Sequence, residues 1–242
     1  MNALLSFWTW FEIGLVAFLG FFVQLVLAAV TLPFDRKRVV VGRCFRLVGV
    51  TSSKLTPFWR FGVHGEAPRH SPGRTVVVAN HESQADPFLI SHLPWEMKWL
   101  SKAAFFRYPL LGWMMRMAGD ISLVRGERGS AIAAMKECRQ RLDNKVSVMI
   151  FPEGTRSRDG ELKEFKDGAF RLAIDSGVPI LPLAVNGAYT ALVSGDWRLG
   201  VSNAEVRVLP PISTDGLTKD DVDDLKQRTH AAIAAAVAEM RA

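Results

Sequence analysis

The stretch Ala79-Asn80-His81-Glu82-Ser83-Gln84-Ala85-Asp86-Pro87 places a histidine directly after a run of valines, and an aspartate five residues further on. Histidine is the side chain whose ordinary pKa lies near neutrality. A carboxylate on one ring nitrogen fixes its tautomer and leaves the other nitrogen free to take a proton. A short turn brings Asp86 back to His81 in this way, and the pair can then deprotonate a hydroxyl, typically worth about 10²–10⁴ in rate. The same spacing also suits a plain helix cap, with Asp86 ahead of Pro87 at a helix start and His81 incidental.

Two further loops carry residues that suit an anion. Residues 151–160 read FPEGTRSRDG. Gly154 permits a tight backbone turn, and Arg156 with Arg158 suits a phosphate, which guanidinium binds in a bidentate fashion. Glu153 and Thr155 can orient the arginine or the substrate. Taken singly, the stretch also reads as a polar surface turn. Residues 119–126 read GDISLVRG, a strand ending in Arg125 between glycines, and Lys102 follows Leu100-Ser101 in the same manner. Each of these cations alone reads as a solvated strand end. Together, Lys102, Arg125 and Arg156 form an anion cup beside a His–Asp base.

The chain has no Gly-x-Ser-x-Gly elbow, no Gly-Lys-Ser/Thr phosphate loop, no dinucleotide fingerprint and no His/Cys/Glu spacing for a metal. The chemistry that remains is base-assisted attack by a substrate hydroxyl, without a covalent enzyme intermediate, a metal or a cofactor.

These loops need strands to hold them. Short apolar runs at 76–78, 97–100, 121–124, 146–151, 180–185 and 206–209 read as strands. Helical patterns fall at 87–92, 109–117, 130–142, 169–174 and 217–240, the last with Val222, Leu225, Ile233 and Val237 on one stripe. Alternation of this kind predicts an α/β fold, a mixed, largely parallel sheet flanked by helices, with sites at the carboxyl ends of strands. Cys44 and Cys138 lie far apart and form neither a disulfide framework nor a zinc spacing. Cys138 reads as a small core residue.

The N-terminal third is different. Residues 1–74 carry nine Lys/Arg against three Asp/Glu, whereas the remainder is balanced, so all of the net charge of +6 sits there. Glu12 is the sole charge between residues 3 and 32, and residues 13–34 carry none. As a helix, that uncharged segment would be roughly 33 Å long, about the thickness of a bilayer core. Trp8 and Trp10 stand at one end and Asp35-Arg36-Lys37-Arg38 at the other. A membrane anchor is expected, preceding a catalytic domain on the cytoplasmic side. Residues 39–63, with Arg43, Arg46, Lys54 and Arg60 among apolar neighbours, are expected to lie in the headgroup region. Residues 1–63 are thus read as an N-terminal membrane-associated helical segment and 64–242 as the α/β domain. Nucleic acid leaves the apolar segment unexplained and is not an expected partner.

Asn80-His81 with Asp86 is similar to the NHxxxxD motif of the glycerolipid acyltransferases, and residues 151–157 match that family's FPEGTRS block at every position. Residues 119–125 resemble its middle motif, and Val178-Pro179-Ile180-Leu181-Pro182 its VPxxP motif, in the same order over about residues 60 to 210. Within the family the resemblance is to the 1-acylglycerol-3-phosphate acyltransferases. It implies transfer of an acyl chain from an acyl thioester, acyl-CoA or acyl-carrier protein, to the free glycerol hydroxyl of lysophosphatidic acid, giving phosphatidic acid in phospholipid synthesis. It further implies that His81 is the general base and that Asp86 orients it. Arg125, Glu153, Gly154 and Arg156 would bind the glycerol phosphate, with help from Lys102. Ser122 and Ala104 stand where the family usually has an aromatic or proline and a glutamate. The alternatives are therefore the same chemistry on another lysophospholipid or an aminolipid, and a non-catalytic lipid-binding protein.

Overall fold

The computed structural model describes residues 3–31, 33–65, 73–157, 159–193 and 195–242. Two helices, α1 (Ala3–Thr31) and α2 (Val39–Leu55), pack against each other ahead of the sheet. Gly20 makes the contact close, since a Cβ there would sit 2.3 Å from Cγ2 of Val48.

The body is a seven-stranded sheet of order β1-β7-β6-β2-β5-β3-β4. Its strands are β1 (Trp59–Val63), β2 (Val76–Ala79), β3 (Lys98–Lys102), β4 (Ile121–Leu123), β5 (Val148–Ile150), β6 (Ile180–Asn186) and β7 (Ser202–Val208). All neighbours are parallel except β6 and β7. The mixed, largely parallel sheet expected from the sequence is therefore present. Its central strands β2 and β5 are buried along their whole length, as continuous apolar runs covered on both faces must be. One face is covered by α5 (Arg128–Asp143), α6 (Gly168–Ser176) and α7 (Val222–Arg241), which bury Cys138, Phe170, Leu225 and Ile233 against Val76, Val78 and Val148. The other face packs Val77, Trp99, Met149 and Leu181 with Leu89, Ile90 and Leu93, from α3 (Asp86–Ile90) and the turn after it. A short α4 (Leu111–Ala118) precedes β4.

Residues 39–63, expected to lie among lipid headgroups, instead form α2 and the edge strand β1, which pairs with β7. Arg46 is 7% exposed and pairs with Asp120 and with Glu96, whose Oε2 lies 3.5 Å from its Nε. Lys98 Nζ completes this buried cluster, 3.1 Å from Glu96 Oε1 and 2.7 Å from the carbonyl of Arg38, which accepts its hydrogen bond. Arg43 donates to the carbonyls of Ser91 and Leu93. Arg46 is buried and Arg43 half-buried, and their partners lie some fifty to seventy-four residues away in the chain, beyond the reach of local pattern.

α1 is arranged inside out. Its inward side carries Ser6, Thr9, Gln24 and Thr31, all buried, and Gln24 donates to the carbonyls of Val41 and Met114. Leu4, Phe7, Trp8, Phe11, Leu15, Phe18, Phe22 and Val26 face outward and exposed. At its N-terminal end Trp10 donates to the carbonyl of Trp197 and Ser6 accepts from the amide of Leu199.

Candidate active site

Because β2, β5, β3 and β4 are parallel neighbours, the loops that follow them emerge on one edge of the sheet. His81 leaves β2, residues 151–157 leave β5, Lys102 ends β3 and Arg125 follows β4. Neighbouring strands are about 4.8 Å apart, so the His81 and Arg156 loops are adjacent and Arg125 is reached only across the intervening β3.

The His81–Asp86 pair is formed. The Nδ1 of His81 lies 2.6 Å from Oδ2 of Asp86, and the same oxygen accepts the main-chain N–H groups of Glu82 (2.9 Å) and Ser83 (3.0 Å). Asp86 is completely buried and is the first residue of α3, where Ala85 takes the cap position without a side-chain bond. The carboxylate thus looks back into the loop rather than forward into the helix, and the capping alternative does not describe it. Three N–H donors on one oxygen hold the loop in a single conformation. His81 Nε2 has no hydrogen-bond partner among the described residues, and the ring is 9% exposed.

Phe151 stacks on the imidazole, with ring centroids 3.9 Å apart and planes 16° from parallel. Glu153 Oε1 accepts the main-chain N–H of His81 at 2.9 Å, and the amide of Ser157 donates to the carbonyl of His81 at 2.8 Å. The His81 peptide is therefore gripped on both sides by the loop after β5. That loop turns at Gly154, whose φ of +71° favours glycine. Burial pushes the Glu153 carboxyl up to about 7, helped by the Asp86 charge and opposed by the hydrogen bond from His81. Asn80 spans the neighbouring strand ends, donating to the carbonyl of Val185 and accepting from its amide, both at 2.8 Å.

Glu82 is also buried. Its Oε2 accepts the amides of Ala188 (3.0 Å) and Tyr189 (3.3 Å), and Arg241 lies 3.6 Å from its Oε1. Burial, with the Asp86 charge beside it, pushes this carboxyl up to about 7 against the opposing pull of Arg241.

Of the expected cations, Arg125 and Arg156 are close enough to feel each other. Partial burial lowers the Arg125 pKa, and the like charge of Arg156 lowers it further. Two guanidinium groups at one sheet edge suit a multiply charged anion. Lys102 is exposed at the end of β3, and no hydrogen bond or ion pair joins it to either arginine among the described residues. Thr155 is exposed on the same loop. Arg158 lies outside the described residues. Phe151 and Glu82 were not singled out in the sequence, since nothing in a lone aromatic or a loop glutamate signals a stacking or a clamping role. Among the described residues no cluster of His, Cys, Asp and Glu could hold a metal ion.

A family model described as Acyltransferase matches residues 60–186. The 1-acyl-sn-glycerol-3-phosphate acyltransferase of Limnanthes douglasii is 34% identical over 203 residues, covering 82% of this chain and 71% of the relative. The human 1-acyl-sn-glycerol-3-phosphate acyltransferase alpha is 37% identical over 155 residues, 63% of this chain and 55% of that protein. The crystal structure of the 1-acyl-sn-glycerophosphate (LPA) acyltransferase from Thermotoga maritima superposes with a TM-score of 0.81 at 25% identity, covering 100% of this chain and 96% of that one.

Proposed function

The chain belongs to the acyltransferase family that its residues 60–186 match, and from that premise we propose that it transfers an acyl chain from an acyl thioester to the free hydroxyl of lysophosphatidic acid, giving phosphatidic acid. The observation that carries this reading is the His81–Asp86 pair with its free Nε2, at the sheet edge where the loops bearing Arg125 and Arg156 also emerge. The relatives in Limnanthes and human are named for this reaction, and so is the Thermotoga structure.

In this reading the acceptor's phosphate is held by Arg125 and Arg156, with Glu153, Gly154 and Thr155 shaping the loop and Lys102 adding charge at its rim. The acceptor hydroxyl meets His81 Nε2. As its oxygen bonds to the thioester carbonyl carbon, the imidazole takes the hydroxyl proton, and the Asp86 carboxylate stabilises the cation that forms. The tetrahedral adduct collapses with loss of the thiolate, and the imidazolium returns the proton to sulfur. The products are an ester and a free thiol, and His81 is neutral again. The donor is acyl-CoA or acyl-carrier protein.

Residues 1–63 are read as the membrane-associated segment and 64–242 as the catalytic α/β domain, with β1 of the former built into the sheet of the latter. α1 is long and apolar enough to cross a membrane. Its uncharged polar residues Ser6, Thr9, Gln24 and Thr31, however, are buried, with the charged Glu12 half-buried among them, so lipid can solvate only its outward face. We read it as lying along the membrane with the body on the cytoplasmic side, where Arg36, Lys37 and Arg38 meet anionic headgroups. The test is transfer from a labelled acyl thioester to lysophosphatidic acid in mixed micelles. Wild type forms phosphatidic acid and His81→Ala does not; equal rates for the two would sink the mechanism.

A further inference from the structure

The catalytic histidine and the phosphate-binding loop are joined a second time, at a place remote from both. Arg241, in the last turn of α7, reaches across the sheet edge. Its Nη2 donates to the carbonyl of Gly160 at 2.7 Å and lies 3.6 Å from Oε1 of Glu82. Its Nη1 meets Oε1 of Glu161 at 3.1 Å, and its Nε meets Oδ1 of Asn186 at 3.3 Å. One guanidinium therefore ties the loop after β2, the loop after β5 and the end of β6.

Most pairs involving an exposed side chain are worth little. This one differs in what it contacts. Glu82 is 4% exposed and fixed by the amides of Ala188 and Tyr189, while its own amide sits on Asp86 Oδ2, the oxygen that holds the His81 ring. Gly160 closes the loop that begins with Arg156, and at the near end of that loop the Ser157 amide sits on the His81 carbonyl. The β2 and β5 loops are thus joined twice, by Ser157 on the His81 carbonyl and by Arg241 between Gly160 and Glu82. Removing Arg241 leaves the loop held to His81 through Glu153 and Ser157 and frees its far end, at Gly160 and Glu161, from Glu82. The side chain is itself presented firmly. Asn186 also donates to the carbonyl of Met240, and Val237, Ala236 and Ile233 of α7 are buried in the core.

We propose that Arg241 is a positioning residue for the acceptor, clamping Gly160 and Glu161, at the far end of the Arg156 loop, against Glu82 of the His81 loop and so setting where Arg156 meets the phosphate. This rests on the acyltransferase reading given above. Arg241 touches no reacting atom, and its effect is expected in acceptor affinity more than in turnover.

The experiment compares wild type with Arg241→Ala and Arg241→Lys in the full chain. Acyl transfer to lysophosphatidic acid is expected to show an acceptor KM raised about tenfold in Arg241→Ala, as for loss of charge-assisted hydrogen bonds. The donor KM stays unchanged and kcat moves less than about threefold. Arg241→Lys, which keeps the charge but not the fork, falls between. A KM equal to wild type in both variants overturns the proposal, as does a loss that only tracks the folded fraction. Hydrogen exchange reads the clamp without substrate. Amides of residues 159–161 are expected to lose protection at least tenfold in Arg241→Ala, or in Arg241→Lys should the alanine variant not fold, while those of β2 and β5 do not. Unchanged protection there overturns the proposal even if wild type proves to use another acceptor, whereas lost protection with no transfer by wild type to lysophosphatidic acid indicts the substrate reading alone.

Discussion

Glu153 holds His81 by its main chain, not by its ring: Oε1 accepts the histidine amide at 2.9 Å while Asp86 alone takes the imidazole. The acid of the arginine loop therefore fixes the base's position, and its neighbours fix the ring's angle. Glu153→Gln keeps an acceptor oxygen at the same place, and its kcat is expected to stay within about tenfold of wild type. Glu153→Ala leaves the amide of His81 unpartnered and the two loops loosened, and kcat/KM is expected to fall about a hundredfold. Steady-state kinetics of the two variants side by side decide it, since equal losses would remove this role.

Asp86→Asn separates geometry from charge. The carboxamide fills the same space but cannot stabilise an imidazolium, and its NH2 group meets loop amides that already donate. A fall in kcat of about 10²–10⁴ is expected, with acceptor KM little changed. A variant retaining full kcat would show that the pair is structural.

The two raised carboxyls make stability depend on pH in a defined direction. Glu82 and Glu153 sit at about 7 in the fold against an ordinary 4.5, so between these values the folded chain holds protons that the unfolded chain has released. Their contribution is complete below about pH 4.5 and is lost as pH rises through 7. Glu153→Gln, which never ionises, is expected to gain on wild type between pH 5 and pH 8, by at most about 3 kcal/mol. Denaturant titrations at the two pH values check this, and a constant difference would refute it.

Arg156→Ala is expected to raise the KM for lysophosphatidic acid by about tenfold or more and to flatten its salt dependence, because one of the cations proposed to hold the phosphate is gone. A lysolipid acceptor of lower charge should be affected less. The same KM penalty for both acceptors would place the phosphate elsewhere.

Much of this site is legible in the sequence because it lies at strand ends. A valine run that stops at a histidine, and a methionine-isoleucine-phenylalanine run that stops at Pro-Glu-Gly-Thr-Arg, each announce a loop at the carboxyl edge of a parallel sheet. Which strands are neighbours comes from the structure, where β2 pairs with β5, Val76 on Val148 and Val78 on Ile150. What stays hidden depends on distance along the chain. Arg46 looks like a lipid-facing cation until Asp120 is placed beside it. β1 is five residues with a glycine inside, and only β7 makes it a strand. Arg241 is 159 residues from Glu82 in sequence, and no period or motif connects the two.

The outward side of α1 is expected to carry the membrane contact. Phe11→Glu together with Phe18→Glu leaves the buried Ser6, Gln24 and Thr31 untouched, so the fold should persist. Co-sedimentation with vesicles of anionic phospholipid is expected to drop at least tenfold, since each change both removes apolar burial and adds repulsion. Undiminished binding would move the contact to another face.

With α1 lying along one leaflet, as proposed above, the inside-out helix also sets the dimension in which this enzyme searches for its acceptor. Its N-terminal end is stitched to the catalytic edge, through Ser6 on Leu199 and Ser83 on the Leu192 carbonyl, so the histidine's height relative to the apolar face is fixed by the fold. An acceptor already dissolved in that leaflet arrives by lateral diffusion at a constant level. The rate then follows its mole fraction among the surrounding lipids rather than its amount per volume of water. Diluting the surface with inert phospholipid slows such an enzyme, whereas diluting the suspension with buffer does not.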